Sequence, residues 1–118
     1  MRTIIFYKTQ SGKCPITEFL DSLNSKQAKK VTWVLSLVES QTRVPAEYFK
    51  KLTGTSNLWE IRIQSGSDIF RLLGFMDEGE LVILTNGFKK KSHKTPANEI
   101  KIAELRKTDY LQRKEENT

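Results

Sequence analysis

Arg62 and Arg71 each stand inside a short run that otherwise reads as a half-buried strand, Leu58-Trp59-Glu60-Ile61-Arg62-Ile63 and Asp68-Ile69-Phe70-Arg71-Leu72-Leu73-Gly74-Phe75. A third apolar run, Leu81-Val82-Ile83-Leu84, leads through Asn86-Gly87-Phe88 into Lys89-Lys90-Lys91-Ser92-His93-Lys94-Thr95-Pro96. Burying an arginine without a partner is costly. Two of them beside a lysine cluster therefore suggest a sheet that presents fixed positive charge to an anion, either a phosphate backbone or an acidic protein. A guanidinium held still by packing binds phosphate bidentately and resists deprotonation. The alternative is structural, with Arg62 or Arg71 paired to Glu60 or Asp68. Alternation puts Glu60 and Arg62 on one strand face and Trp59, Ile61 and Ile63 on the other. The apolar set belongs against helices, which leaves Arg62 on the open face. Alternation does not decide which way Arg71 points.

Lys89, Lys90, Lys91 and Lys94 fall between a strand end and a helix start. Such a cluster can hold a phosphate chain, or it can simply be a solvated loop. His93 is the only histidine of the chain. One imidazole rules out a paired-histidine ribonuclease mechanism within one chain and a histidine-rich metal site. Among lysines, His93 should have a lowered pKa and could exchange protons; it could equally be an exposed loop residue. No serine or cysteine nucleophile motif and no Gly-rich phosphate loop occurs. The sequence thus calls for neither a metal nor a cofactor.

These residues need elements to position them. Arg2 to Lys8 reads as a first strand, broken by Gln10-Ser11-Gly12-Lys13. Pro15 suits a first helical position, and Ile16, Phe19, Leu20 and Leu23 follow on one helical face. Asn24 or Ser25 can cap a second helix, whose stripe is Ala28, Val31, Leu35 and Val38, widened by Val34 and Leu37. Its opposite side carries Lys26, Lys29 and Lys30. So short a connection predicts a helical hairpin. The three strand runs come next, with Gly66 in one turn and Asp77-Glu78-Gly79 in the other. Thr95-Pro96 reads as cap and first residue of a last helix, with Ile100, Ala103 and Leu105 as a weak apolar face. The order predicts an α+β fold: a small antiparallel sheet, the N-terminal helical hairpin packed on one face, and a C-terminal helix.

The 118 residues fit one domain, 1–118, with a polar tail from about residue 111 that should fray. A net charge of +6 favours polyanions or acidic partners. A single cysteine, Cys14, excludes an internal disulfide and a thiolate cluster. The apolar run at residues 1–8 is too short for a signal peptide, and no stretch approaches the ~20 apolar residues that span a bilayer. The expected location is cytoplasmic.

Phe19-Leu20-Asp21-Ser22-Leu23, Lys51-Leu52-Thr53-Gly54, Leu58-Trp59-Glu60-Ile61-Arg62, Phe70-Arg71-Leu72, Gly87-Phe88-Lys89-Lys90-Lys91 and Lys94-Thr95-Pro96 occur in the same order in one known family. The chain resembles the HigB-like, phage-associated branch of the RelE/ParE toxin superfamily of bacterial toxin–antitoxin modules, from residue 5 to about residue 110. The resemblance implies a ribosome-dependent endoribonuclease that cuts mRNA, needs no metal, and is held inactive by a cognate antitoxin of helix-turn-helix type. It implies that Arg62, Arg71, Lys90, Lys91 and His93 form the catalytic set, with Arg71 clamping the phosphate, and that Lys50, Lys51, Lys89 and Lys94 bind RNA. Relatives often place a tyrosine or histidine soon after the last strand. Here Tyr110 lies too far along, so either His93 fills that role or the catalytic set is incomplete. A ParE-like gyrase inhibitor of the same fold, or a basic binding module, is the alternative.

Overall fold

The computed structural model describes residues 1–91 and 94–117. Along the chain follow β1 (Thr3–Phe6), α1 (Pro15–Asp21), α2 (Ser25–Ser40), β2 (Phe49–Lys51), β3 (Leu58–Ser65), β4 (Asp68–Asp77), β5 (Leu81–Lys89) and α3 (Ala97–Glu116). The five strands form one sheet in the order β1-β5-β4-β3-β2. The α+β architecture, with its N-terminal helical pair on one face and a C-terminal helix, is the predicted one.

The sheet is not wholly antiparallel. β2 to β5 form an antiparallel meander, whereas β1 joins β5 in parallel, Thr3 beside Leu81 and Phe6 beside Leu84. Parallel neighbours need a long crossover, which the helical pair and the meander supply. β2 has no counterpart in the sequence reading, because three residues of which two are lysines show no alternation.

α1 lies over β5 and α2 over β3. Ile16, Val31, Val34 and Val38 pack there on Ile61, Ile63, Phe70, Leu72, Val82 and Leu84. Asn24 caps α2 through a capping box with Gln27, its side chain accepting from the Gln27 N–H at 2.8 Å. A Cβ at Gly87 would stand 2.6 Å from the Leu72 side chain and 2.7 Å from the Phe19 ring, so glycine is what lets α1 approach β5 this closely. Where β1 forms the sheet edge, the Glu39 carboxylate accepts from the Ile4 N–H at 3.0 Å and the Glu39 carbonyl from the Arg2 N–H at 3.0 Å. The end of α2 thus covers backbone donors that an edge strand would otherwise expose.

α3 packs on the other face, where Ala103 meets Tyr7, Leu58, Leu73, Phe75 and Ile83. Register slips between Leu73 and Gly74, so Thr85 is an extra residue on β5. Its hydroxyl donates to the Leu73 carbonyl at 3.1 Å, and Arg106 donates to the Thr85 carbonyl at 2.9 Å. Asn86 donates to the Glu99 carboxylate at 3.0 Å. The expected face of α3 needs one correction: Leu105 is 63% exposed, and Tyr110 packs on Phe75 instead. The stretch from residue 111, expected to fray, is helical as far as Glu116. Arg113 is held by Asp109 and the Lys8 carbonyl, and Lys114 by Asp77 at 3.0 Å.

Candidate active site

Arg62 and Arg71 are directly opposed across β3 and β4. Arg71 also lies opposite Phe88 on β5, and Lys50 lies opposite Glu60. Cross-strand partners share a face, so Lys50, Glu60, Arg62 and Arg71 all project on the α3 side of the sheet. α3 covers the part of that face carrying Leu58, Leu73, Phe75 and Ile83. Lys50 stays exposed, and Arg62 and Lys90 half-buried.

Arg71 is committed to its neighbours. Glu60 and Arg71 are 1% and 4% exposed, and Arg71 Nη1 lies 2.9 Å from Glu60 Oε2. The Thr95 hydroxyl accepts from Arg71 Nη1 at 2.8 Å and lies 2.7 Å from Glu60 Oε2. The structural pairing considered for Arg71 therefore exists, and Glu60 is its partner. Thr95 is not the helix cap that its sequence position suggests: Pro96 precedes α3 without a side-chain cap, and the threonine faces the ion pair. A threonine before a proline carries no sign of that second use. Glu60 Oε1 is buried with no hydrogen-bond partner among the described residues.

Lys90 follows β5 and is tied to β4 by its N–H, which donates to the Ile69 carbonyl at 2.7 Å. Partial burial holds its amine below the usual lysine value, and the charges of Arg71, Arg62 and Lys50 push it the same way while Glu60 opposes them. A lysine so placed can lose its proton more readily than an exposed one, among cations that favour an anion beside it.

The other candidates divide. Lys51 lies opposite Trp59 and Lys89 opposite Phe70, which puts both on the face toward α1 and α2. Lys89 is paired there with Asp68 at 3.0 Å. Lys91, next to Lys90 in the chain, and Lys94 are exposed. His93 lies outside the described residues. Arg62 also lines a groove of about 380 Å³ with Lys30, Glu47, Tyr48 and Gln64. Among the described residues no three His, Cys, Asp or Glu side chains gather as metal ligands, and no helix is long and apolar enough to cross a membrane.

No curated protein matches the sequence significantly. The family described as Phage derived protein Gp49-like (DUF891) matches residues 18–108, a span that includes every candidate site residue from Lys50 to Lys94. The chain belongs to this Gp49-like family, within the RelE/HigB-like toxin superfamily.

Proposed function

We propose that this chain is the toxin of a type II toxin–antitoxin module, of the HigB-like branch, and that it cuts mRNA on the ribosome in the cytoplasm. The observation that carries the reading is the placement of Lys90, a half-buried lysine tied to β4 on the face that carries Arg62, Arg71 and Lys50, where burial and those charges hold its amine below the usual value. A surface that only docks on a protein has no need of a half-buried amine set among three other cations.

In the proposed reaction the neutral Lys90 amine takes the proton of an RNA 2′-hydroxyl. The 2′-oxygen bonds to the adjacent phosphorus, and the bond from phosphorus to the 5′-oxygen breaks. His93 gives the leaving oxygen its proton. The products are a 2′,3′-cyclic phosphate and a free 5′-hydroxyl. Arg62 and Lys91 hold the charge that develops on the phosphoryl oxygens. Arg71, turned toward Glu60, acts from beneath: it fixes the floor of the site and keeps Lys90 weakly basic. Lys50 and Lys94 attract the RNA backbone. A cognate antitoxin of helix-turn-helix type would neutralise this face by complementary charge.

The test is induction without antitoxin, followed by amino-acid incorporation, DNA supercoiling and primer extension on ribosome-bound mRNA. Translation should stop, with new mRNA ends inside coding sequence. Normal incorporation with collapsed supercoiling would replace this reading with a ParE-like gyrase inhibitor.

A further inference from the structure

Three lysines of α2 lie outside the site just described. Lys26, Lys29, Lys30 and Trp33 fall at i, i+3, i+4 and i+7, one stripe of the helix. Trp33 is 50% exposed, a large aromatic left unburied beside three cations. The Lys30 amine sits 4.6 Å from the centre of its ring, and Tyr48 meets it edge-on at 6.3 Å. The stripe borders two grooves. The first, about 380 Å³, is lined by Lys30, Glu47, Tyr48, Arg62 and Gln64. The second, about 370 Å³, is lined by Lys26, Lys29, Lys30, Gln64, Ser65 and Gly66. Lys30 and Gln64 belong to both, so the two are continuous. They run along the last residues of β3, beyond the pairs that β2 makes with Trp59, Glu60 and Ile61.

We propose that this channel binds a single strand of RNA leading away from the Lys90 centre, with Trp33 as a base-stacking platform. The inference rests on the nuclease reading for its direction, because Arg62 is the shared residue: it lines the first groove and also acts on Lys90. Four cations against one carboxylate, Glu47, suit a phosphate backbone. An exposed indole flanked by lysine suits a base, since every base has a face to stack. An acidic protein segment would be drawn by the charge but would gain little from the exposed part of the indole.

The chain has two tryptophans. A Trp59→Phe protein keeps the stack of residue 59 on Phe49 and leaves Trp33 as the only indole. The probe is a 2′-O-methylated single-stranded oligoribonucleotide of about twelve nucleotides, which lacks the attacking hydroxyl. It should quench Trp33 emission, with affinity falling steeply as salt rises, and Lys30→Gln should weaken binding about fivefold or more. In ribosome-bound mRNA cleavage by the parent chain, Trp33→Ala should raise KM about tenfold, with a much smaller change in kcat. Thermal unfolding of each variant checks its fold. An oligonucleotide that leaves Trp33 emission unchanged, or a folded Trp33→Ala with the parent KM, overturns the proposal. So does quenching by antitoxin but not by RNA. The oligonucleotide is not cut, so its result stands apart from the nuclease reading. Quenching by a chain that cleaves nothing would remove the nuclease and keep the channel; cleavage by a chain whose Trp33 ignores RNA would do the reverse.

Discussion

Arg62 and Arg71 face each other directly across β3 and β4, yet only Arg71 is buried. Like charges in directly opposed positions repel. The repulsion is relieved because Glu60, two residues before Arg62 on the same face, takes Arg71 at 2.9 Å. Arg62 is left to face solvent and the groove beside Tyr48. One arginine becomes part of the floor and the other stays available to a ligand.

Removing one member of the buried pair should be costly. Glu60→Ala or Arg71→Ala leaves an uncompensated charge and should lose about 3–5 kcal/mol in urea denaturation. The double variant Glu60→Leu/Arg71→Met should stay within about 2 kcal/mol of the parent. It is the better probe of function. The variant removes both Arg71, which lowers the Lys90 amine, and Glu60, which raises it; Arg71 is the stronger of the two, so Lys90 regains some basicity and the rise of cleavage rate with pH should move to higher pH. An unmoved profile in the folded double variant would detach the Glu60–Arg71 pair from Lys90 chemistry.

Lys90→Met should lower cleavage ~10²-fold or more. It should also stabilise the fold at neutral pH. The folded chain binds the Lys90 proton less tightly than the unfolded chain, so this group's contribution to stability rises with pH up to the usual lysine value of 10.5. At neutral pH the charged amine is a liability that methionine removes. Parallel thermal melts near pH 7 and pH 10 check the sign: the advantage of Lys90→Met should shrink at the higher pH.

The Tyr7 hydroxyl donates to Asp109 at 2.5 Å, and Arg113 holds the same carboxylate at 2.7 Å. These bonds hold the Asp109 carboxyl below its usual range, chiefly through Tyr7, while burial and Asp109 push the Tyr7 phenol up. Stability from Asp109 is therefore present above its unfolded pKa and fades as pH falls through the folded one. Stability from Tyr7 is present below its unfolded pKa and fades as pH rises. Tyr7→Phe should cost about 1–2 kcal/mol at neutral pH, and the loss should narrow in acid. A uniform loss at every pH would show that packing, not this bond, is what phenylalanine disturbs.

Gly87→Ala should destabilise by about 1–3 kcal/mol, because the methyl group meets Phe19 and Leu72. Adding Phe19→Leu should recover part of that loss. Strict additivity of the two changes, measured by chemical denaturation, would mean that the contact does not govern the site.

Much of this molecule was legible in its residues. The period of Ile16, Phe19 and Leu20, the stripe of α2 and the three meander strands needed only local spacing, and each is where that spacing put it, whereas Leu23, read onto the same face as Phe19, lies past the end of α1 at Asp21. What depends on two distant segments was not legible. Nothing in Thr95 announces Glu60, 35 residues away. Nothing in Asp109 announces Tyr7. The facing of Arg71 was undecidable along β4 because both faces of that strand are buried, which erases alternation. Lys89 and Lys90 looked equivalent as neighbours in a basic run, yet adjacent strand positions point to opposite faces, and only Lys90 reaches the site.

Among the described residues the first strand pairs with β5 alone, far along the sequence: Thr3 waits for Leu81, and Phe6 for Leu84. During synthesis β1 leaves the ribosome long before β5, and it has no neighbour in the sheet until β5 has followed it. Lys90 comes later still, and the Thr95 that braces Glu60 and Arg71 after that. A shortened translation product would carry the arginines of the meander without the amine they surround. On the proposed function, the ribosome that makes this chain is shielded by the order of assembly: the poison is incomplete until Lys90 and Thr95 have followed the meander.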